Sequence, residues 1–554
     1  MRQFLDLSVE LTMDRETRSS ILGFKPQKEI IYNKLLPYAQ QLDDQSQRML
    51  LEIKTNLGLS VMMREMRPGC GMWTARLKQY IKLYGLKFSK EDHLRFIHLM
   101  YELVTIPNLE PYLVSKFGHV LVTLLKKKEL ISPEELVLPW RPLYELCKRI
   151  FSSSRGAIGM YRYFSSLEIT LDSLVHAARY YFPASATEEM LNEWRPLLCP
   201  FDNTKIVSTI ETLEWFLPIA LPPSRSDKGY KLWFNDFMNL WDVCNNTPSW
   251  EADMMWLMAR LARCNIGYID WEPYVPLIFT RLLRSLNLPV SYKQIHNSKN
   301  HKLETAAMAL WIVSVLGGGS SAQKHLDKFM MTLESYFHPA NFGRWVLKLS
   351  ELLSKLPLYF VQRLNFERYK KLTWETPVPE SHKLTEDDIT RFVLSVKPVA
   401  MQAMFSKMGL EVSQAMQHLA TLRPQLIIPE IVESVYANLE TVVQPLKFQA
   451  ALQCLIAVIR PMAEGGRTDF KEGPTHVIPM LLSVLPGIDP NDIRKCFVSL
   501  HFISTVANMV PIIDCSKASE YHSNLTEEEE SICLATSNFE DFVLQFLGPL
   551  FCVG

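Results

Sequence analysis

The chain has 554 residues, 59 Lys plus Arg against 59 Asp plus Glu, and a hydrophobic fraction of 48%. Zero net charge excludes a strongly basic chain that coats nucleic acid, and equally an acidic, self-repelling disordered one. The length suits roughly three or four compact domains or one long repeat array, and 33 Pro against 21 Gly favour helices and their connections over sheets and tight turns.

Residues 1–23 are mixed and polar and read as a mobile lead-in. Asp6 and Glu10 interrupt the apolar positions there, so no secretory signal is expected. The ten cysteines are scattered from Cys70 to Cys552 with no Cys-x-x-Cys pair, which predicts reduced thiols of an intracellular protein. The sequons at Asn245 and Asn524 then carry little weight. Ala306–Leu316 is the longest apolar stretch, far short of the roughly 20 residues that span a bilayer. It reads as a buried helix, with Gly317, Gly318 and Gly319 as its stop.

Helical periodicity dominates the rest. Trp345, Val346, Leu349, Leu352, Leu353 and Leu356 share one helix face. Ile389, Phe392, Val393 and Val396 repeat the pattern, as do Val412, Ala415, Met416 and Leu419. Phe539, Phe542, Val543, Phe546 and Leu547 close the chain in the same way. Self-similarity is also present. Tyr274-Val275-Pro276, Ile427-Ile428-Pro429 and Val477-Ile478-Pro479 are each followed by apolar residues at matching offsets, so each predicts a helix whose first turn holds the proline. Helix pairs are expected to start near Thr385, Ile428 and Pro474, within the roughly 40–47-residue period of HEAT and armadillo repeats. The fold class is therefore all-α, a HEAT/armadillo-like helical-repeat solenoid. Thr373–Lys383 and Gly465–Pro474 read as loops between repeats, and Glu527–Glu530 as a solvated helix start.

Chemistry is scarce. There is no nucleophile elbow, phosphate-binding Gly-Lys-Ser/Thr loop or His-Glu-x-x-His. Asp92, His93 and His98 lack the i, i+4 spacing of a helical ligand pair, and His382 near Glu380 and Glu386 lies in a loop. No catalytic and no metal-binding residue is expected. Lys126-Lys127-Lys128, and Arg368, Lys370 and Lys371 around Tyr369, read as solvated faces, with contact to phosphates or an acidic partner as the alternative. Trp73, Trp140, Trp194, Trp215, Trp233 and Trp241 read as core, not as a base-stacking surface. No direct nucleic-acid partner and no membrane are expected.

Longer strings add a resemblance. Lys25–Ala39 (KPQKEIIYNKLLPYA), Phe88–His93, Leu138–Tyr144, Glu193–Leu197, Asn265–Pro276 (NIGYIDWEPYVP), His382–Thr385, Glu472–His476 and Phe539–Phe546 resemble, in order, the N-terminal part of the giant HEAT-repeat proteasome activators. The resemblance implies a solenoid dome that caps the α-ring of the 20S proteasome core particle and opens its gate without ATP or ubiquitin. It implies turnover of peptides, unstructured proteins and acetylated core histones, with roles in DNA repair and spermatogenesis, in nucleus and cytoplasm. No cofactor is required; inositol phosphate binding is implied, with no residue assigned. The implied divisions are 1–23 as lead-in, 24–330 as N-terminal solenoid and 331–554 as the start of the family's middle region. The chain ends Phe551-Cys552-Val553-Gly554, without the family's C-terminal tail or bromodomain-like region, and reads as a fragment, a short form, a truncated paralogue or an incomplete gene product. The alternative from repeat period alone is a generic HEAT adaptor, of the transport-receptor or phosphatase-scaffold kind.

Overall fold

The computed structural model describes residues 37–154, 161–243, 248–286, 288, 304–338, 345–369, 373–405, 409–440, 445–464, 470–489 and 491–552. The expected lead-in, Lys370, Lys371 and the first half of the expected Gly465–Pro474 loop, residues 465–469, lie outside them. Among the described residues there are helices and turns and no strand. The chain divides into two compact units, Met1–Met254 with Lys371–Pro377, and Met255–Lys370 with Val378–Gly554.

The first unit holds α1 (Ala39–Met62), α2 (Gly71–Tyr84), α3 (Lys90–Thr105), α4 (Pro111–Leu125), α5 (Trp140–Ser154), α6 (Tyr161–Ala178), α7 (Ala186–Trp194), α8 (Asn203–Phe216) and α9 (Phe234–Val243). Helix α10 (Pro248–Cys264) crosses the boundary between the units in sequence. Starts are set by local chemistry. The Ser89 hydroxyl accepts from Asp92 N at the head of α3, Asp202 accepts from Lys205 N at the head of α8, and Pro111 opens α4. Helices α2, α4, α6 and α8 pack in one row, and α3 packs on both α4 and α5.

The second unit continues with α11 (Val275–Ser285), α12 (Thr305–Val315), α13 (Ala322–Glu334), α14 (Trp345–Tyr369), α15 (Glu386–Ala403), α16 (Gly409–Leu422), α17 (Pro424–Glu440), α18 (Pro445–Ala463), α19 (Val477–Val484), α20 (Ile493–Met509), α21 (Ala518–Tyr521), α22 (Glu527–Ala535) and α23 (Phe539–Cys552). Here α12, α14, α16, α18 and α20 form one row, each packing on the next, and α11, α13 and α15 form another. Every second helix meeting its like is what stacked helical hairpins produce. One hairpin cannot bury its apolar face alone, and the neighbouring hairpin covers it. The expected all-α helical-repeat solenoid is thus the fold class of each unit.

The predicted faces of α14, α15 and α16 are buried at Leu349, Leu352, Leu353, Phe392, Val396, Met416 and Leu419. Three expectations need correction. Pro276 and Pro479 do lie in the first turns of α11 and α19, but α17 already starts at Pro424, which leaves Pro429 inside the helix. A proline can itself begin a helix, so the earlier one takes that role. Helix α23 exists, but only Phe539 and Phe542 of its stripe are buried, while Val543 and Leu547 are exposed. Leu446–Ala463 within α18, not only Ala306–Leu316, is apolar, and by length and composition alone it could cross a membrane. Half of it is buried, and it packs on α16, α17 and α20, as a core helix does.

Gly317, Gly318 and Gly319 stop α12 as predicted, with φ of +83°, +62° and +77°. A Cβ at Gly318 would sit 2.6 Å from His382 Cδ2. We expect Gly318→Ala to cost about 2 kcal/mol, from the left-handed backbone plus the contact with His382. Hydrogen exchange at the end of α12 measures this, and adding His382→Ala should recover the steric part.

Candidate functional site

Burial tunes His93, Cys147 and Cys454. His93 is buried in α3, with Nε2 3.2 Å from the carbonyl of Leu124, while its neighbour Asp92 pairs with Lys54 at 2.7 Å and His98 is exposed. Burial lowers the His93 pKa from 6.5 to about 4. The unfolded chain therefore takes up a proton before the folded one does. The stability from this group is complete above pH 6.5 and is lost as pH falls towards 4. About 3 kcal/mol is involved. We expect His93→Gln, which keeps a donor for Leu124, to flatten the fall in the urea midpoint between about pH 7 and pH 4 by that amount. Burial also pushes the Cys147 thiol up, and that of Cys454 up to about 12, so both remain protonated. Among the described residues, no group of three or more His, Cys, Asp or Glu is placed to hold a metal ion.

One residue of each basic run, Lys128 and Arg368, is tied into the structure. Lys128 pairs with Glu375 at 2.5 Å and lies 3.2 Å from the centre of the Tyr180 ring. Trp374 packs edge-on against both Tyr180 and Tyr181, and the Thr376 hydroxyl donates to the carbonyl of Leu221. The expected Thr373–Lys383 loop thus has its first part folded into the first unit. Arg368 meets Glu386 at 2.5 Å, and Glu386 also takes Arg423 at 2.6 Å. These two cations are engaged, while Lys126 and Tyr369 are exposed. Of the six tryptophans expected in the core, Trp140, Trp194, Trp233 and Trp241 are buried; Trp73 and Trp215 are half-buried.

His382 is held as a wedge. It lies in a short turn, Glu380–His382, against Gly267 and Gly318, both at positive φ. Beneath it lies Arg363, which the sequence reading did not single out. Arg363 Nη1 donates to the carbonyls of Val313 (2.6 Å) and Leu316 (2.8 Å), and Nη2 to that of His382 (2.8 Å). Its Nε donates to Glu367 at 2.7 Å, and Glu367 also accepts from Leu384 N. One buried ion pair thus caps the negative end of α12 and fixes the loop. The available signal was register: Arg363 follows Leu353, Leu356 and Phe360 on the apolar stripe of α14, with Glu367 one turn on.

Recesses among the described residues of the first unit include a cleft and a groove. A cleft of about 180 Å³ between α5 and α8 is walled by Tyr144, Phe151, Trp215 and Phe216, with Lys148 and Glu211 among its lining. An open groove is lined by Met72, Ala75, Leu113 and Tyr112, with Arg67 and Lys116 5.1 and 4.5 Å from the Tyr112 ring centre. A Cβ at Gly71 would lie 3.1 Å from Leu113, so the bare glycine sets this close packing. Aromatic walls with charges among them suit side-chain binding.

Residues 326–553 match the family model described as proteasome activator complex subunit 4, mid HEAT repeats region. Proteasome activator complex subunit 4A of Danio rerio is 50% identical over 543 residues, 97% of this chain and 30% of that protein. Proteasome activator complex subunit 4 of Homo sapiens is 50% identical over 533 residues, 96% of this chain and 29% of that protein. Over almost its whole length this chain is thus similar to a part of proteasome activator complex subunit 4, and over residues 326–553 to that protein's mid HEAT-repeat region. Proteasome activator subunit 4 of Arabidopsis thaliana is 26% identical over 480 residues, 80% of this chain and 26% of that protein. The chain spans about 30% of the length of the vertebrate subunit 4 proteins it matches. The mid-region match takes in the second unit from within α13 to α23, without α11 and α12, while the identity to the vertebrate subunit 4 proteins extends through both units. The matched family is one of activators and HEAT-repeat scaffolds, not a known enzyme class.

Proposed function

We propose that this chain is a helical-repeat segment of a proteasome activator that seats on the α-ring of the 20S core particle and favours its open gate, without ATP or ubiquitin. The observation that carries this reading is the 50% identity over 97% of the chain to proteins named as proteasome activators. The chain acts by binding and performs no catalytic step. Contacts better made with the open ring than with the closed one shift the gating equilibrium by their difference in free energy. Stacked hairpins suit that task, because each repeat adds surface without needing a new core. Under the same proposal the clients are peptides, unstructured proteins and acetylated core histones. The sites of action are nucleus and cytoplasm, with DNA repair and spermatogenesis as the processes served. Inositol phosphate is an accessory ligand and not a required cofactor, and residues 331–554 begin the middle region.

The test is a chimera. The matched segment of the Danio rerio relative is replaced by this chain, and the product is mixed with latent 20S particles. Native-gel complexes and faster hydrolysis of a fluorogenic peptide are expected. A folded chimera that fails to bind, beside an unaltered relative that binds, overturns the proposal. The isolated 554-residue chain run in parallel shows how much of the effect needs the rest of the protein.

A further inference from the structure

Cys515 follows α20 in an irregular, exposed stretch, and Cys533 is half-buried in the last turn of α22. One hydroxyl joins their backbones: Thr536 Oγ1 accepts from Cys515 N at 2.7 Å and donates to the carbonyl of Cys533 at 2.5 Å. Two cysteines on either side of a single hydroxyl are close enough for small movements to reach the roughly 4.4–6.8 Å Cα separation of a disulfide. No residue from Cys515 to Cys533 is buried, so packing does little to hold this segment. We infer that Cys515 and Cys533 are an oxidisable pair, which peroxide converts into an intrachain disulfide that tethers the exposed segment carrying α21 and Glu527–Glu530.

The chemistry has a definite order. Exposed Cys515 reacts first: its sulfur takes one oxygen from hydrogen peroxide, giving a sulfenic acid and one water. The Cys533 sulfur then attacks the Cys515 sulfur. The S–O bond breaks, the S–S bond forms, and the Cys533 proton leaves with the hydroxyl as a second water. Two thiols and one peroxide give one disulfide and two waters. Burial first, and then the neighbouring Cys515 sulfur, raise the pKa of Cys533, which suits it to the resolving role and not to the first attack. Cys70, Cys147 and Cys454 are buried, and burial pushes each thiol up, so they remain inert.

The experiment uses the full reduced chain, hydrogen peroxide, alkylation of the remaining thiols, and peptide mass spectrometry after digestion with trypsin and a Glu-specific protease. The expected result is a linked Cys515–Cys533 peptide that dithiothreitol separates, with two alkylatable thiols lost per chain. Cys496→Ser should leave this unchanged. Cys515→Ser should leave Cys533 fully alkylated, and Cys533→Ser should leave a Cys515 sulfenic acid that dimedone traps. Alkylated Cys533 in the oxidised wild-type chain, with Cys515 overoxidised or bound to Cys496 or to a second chain, overturns the inference.

Discussion

Replacing Arg363 with Ala is expected to destabilise the second unit by about 3–5 kcal/mol, the cost of breaking a buried ion pair from one side. The side chains of Arg363 and Glu367 are 3% and 2% exposed. Removal of the guanidinium leaves the carbonyls of Val313, Leu316 and His382 without their donor and Glu367 as a buried, uncompensated carboxylate. Burial works against the charge on Arg363, and the Glu367 carboxylate supports it. The double variant Arg363→Met with Glu367→Leu should therefore lose much less than Arg363→Ala, because no orphan charge remains. Faster hydrogen exchange in the last turn of α12 and in the 380–384 turn reads the effect locally. Equal losses in the single and double variants would show that the pair itself contributes little.

Phe392→Ala is expected to cost a similar amount, about 3–5 kcal/mol. Phe392 of α15 stacks on Phe360 of α14 with ring centres 4.1 Å apart and planes 14° from parallel, and both side chains are fully buried. Truncation removes apolar burial and leaves a cavity that two long helices cannot close by collapse. Phe392→Leu keeps most of the volume and should cost under about 1.5 kcal/mol. Exchange rates of α14 and α15 amides, compared across the two variants, check this ordering. Since α15 also packs on α13, the Ala variant should loosen that row as well.

Much of the fold was legible because helical signals are local. The helix start at Thr385, the buried stripe of α16 and the glycine stop after α12 each depend on residues within a few positions of one another. Pro429 was misplaced because a Pro-entry rule cannot choose between two prolines five residues apart. The stripe of α23 was read as a full core face because periodicity shows which residues share a side, not whether anything covers that side. The sites were less legible. Lys128 looked like one of three equal lysines, yet Glu375 lies 247 positions away in sequence, and no local rule links them.

By itself, the sequence determined the helical class, the starts and stops of many helices and the similarity to proteasome activator subunits, because these rest on near neighbours or on the identity of long strings. Only the tertiary structure decided which charges are spent in the core, which glycines lie beneath His382 and which cysteines share Thr536. Those facts depend on which repeat lies against which, and burial turns a residue of ordinary chemistry into a cap, a wedge or an oxidisable pair.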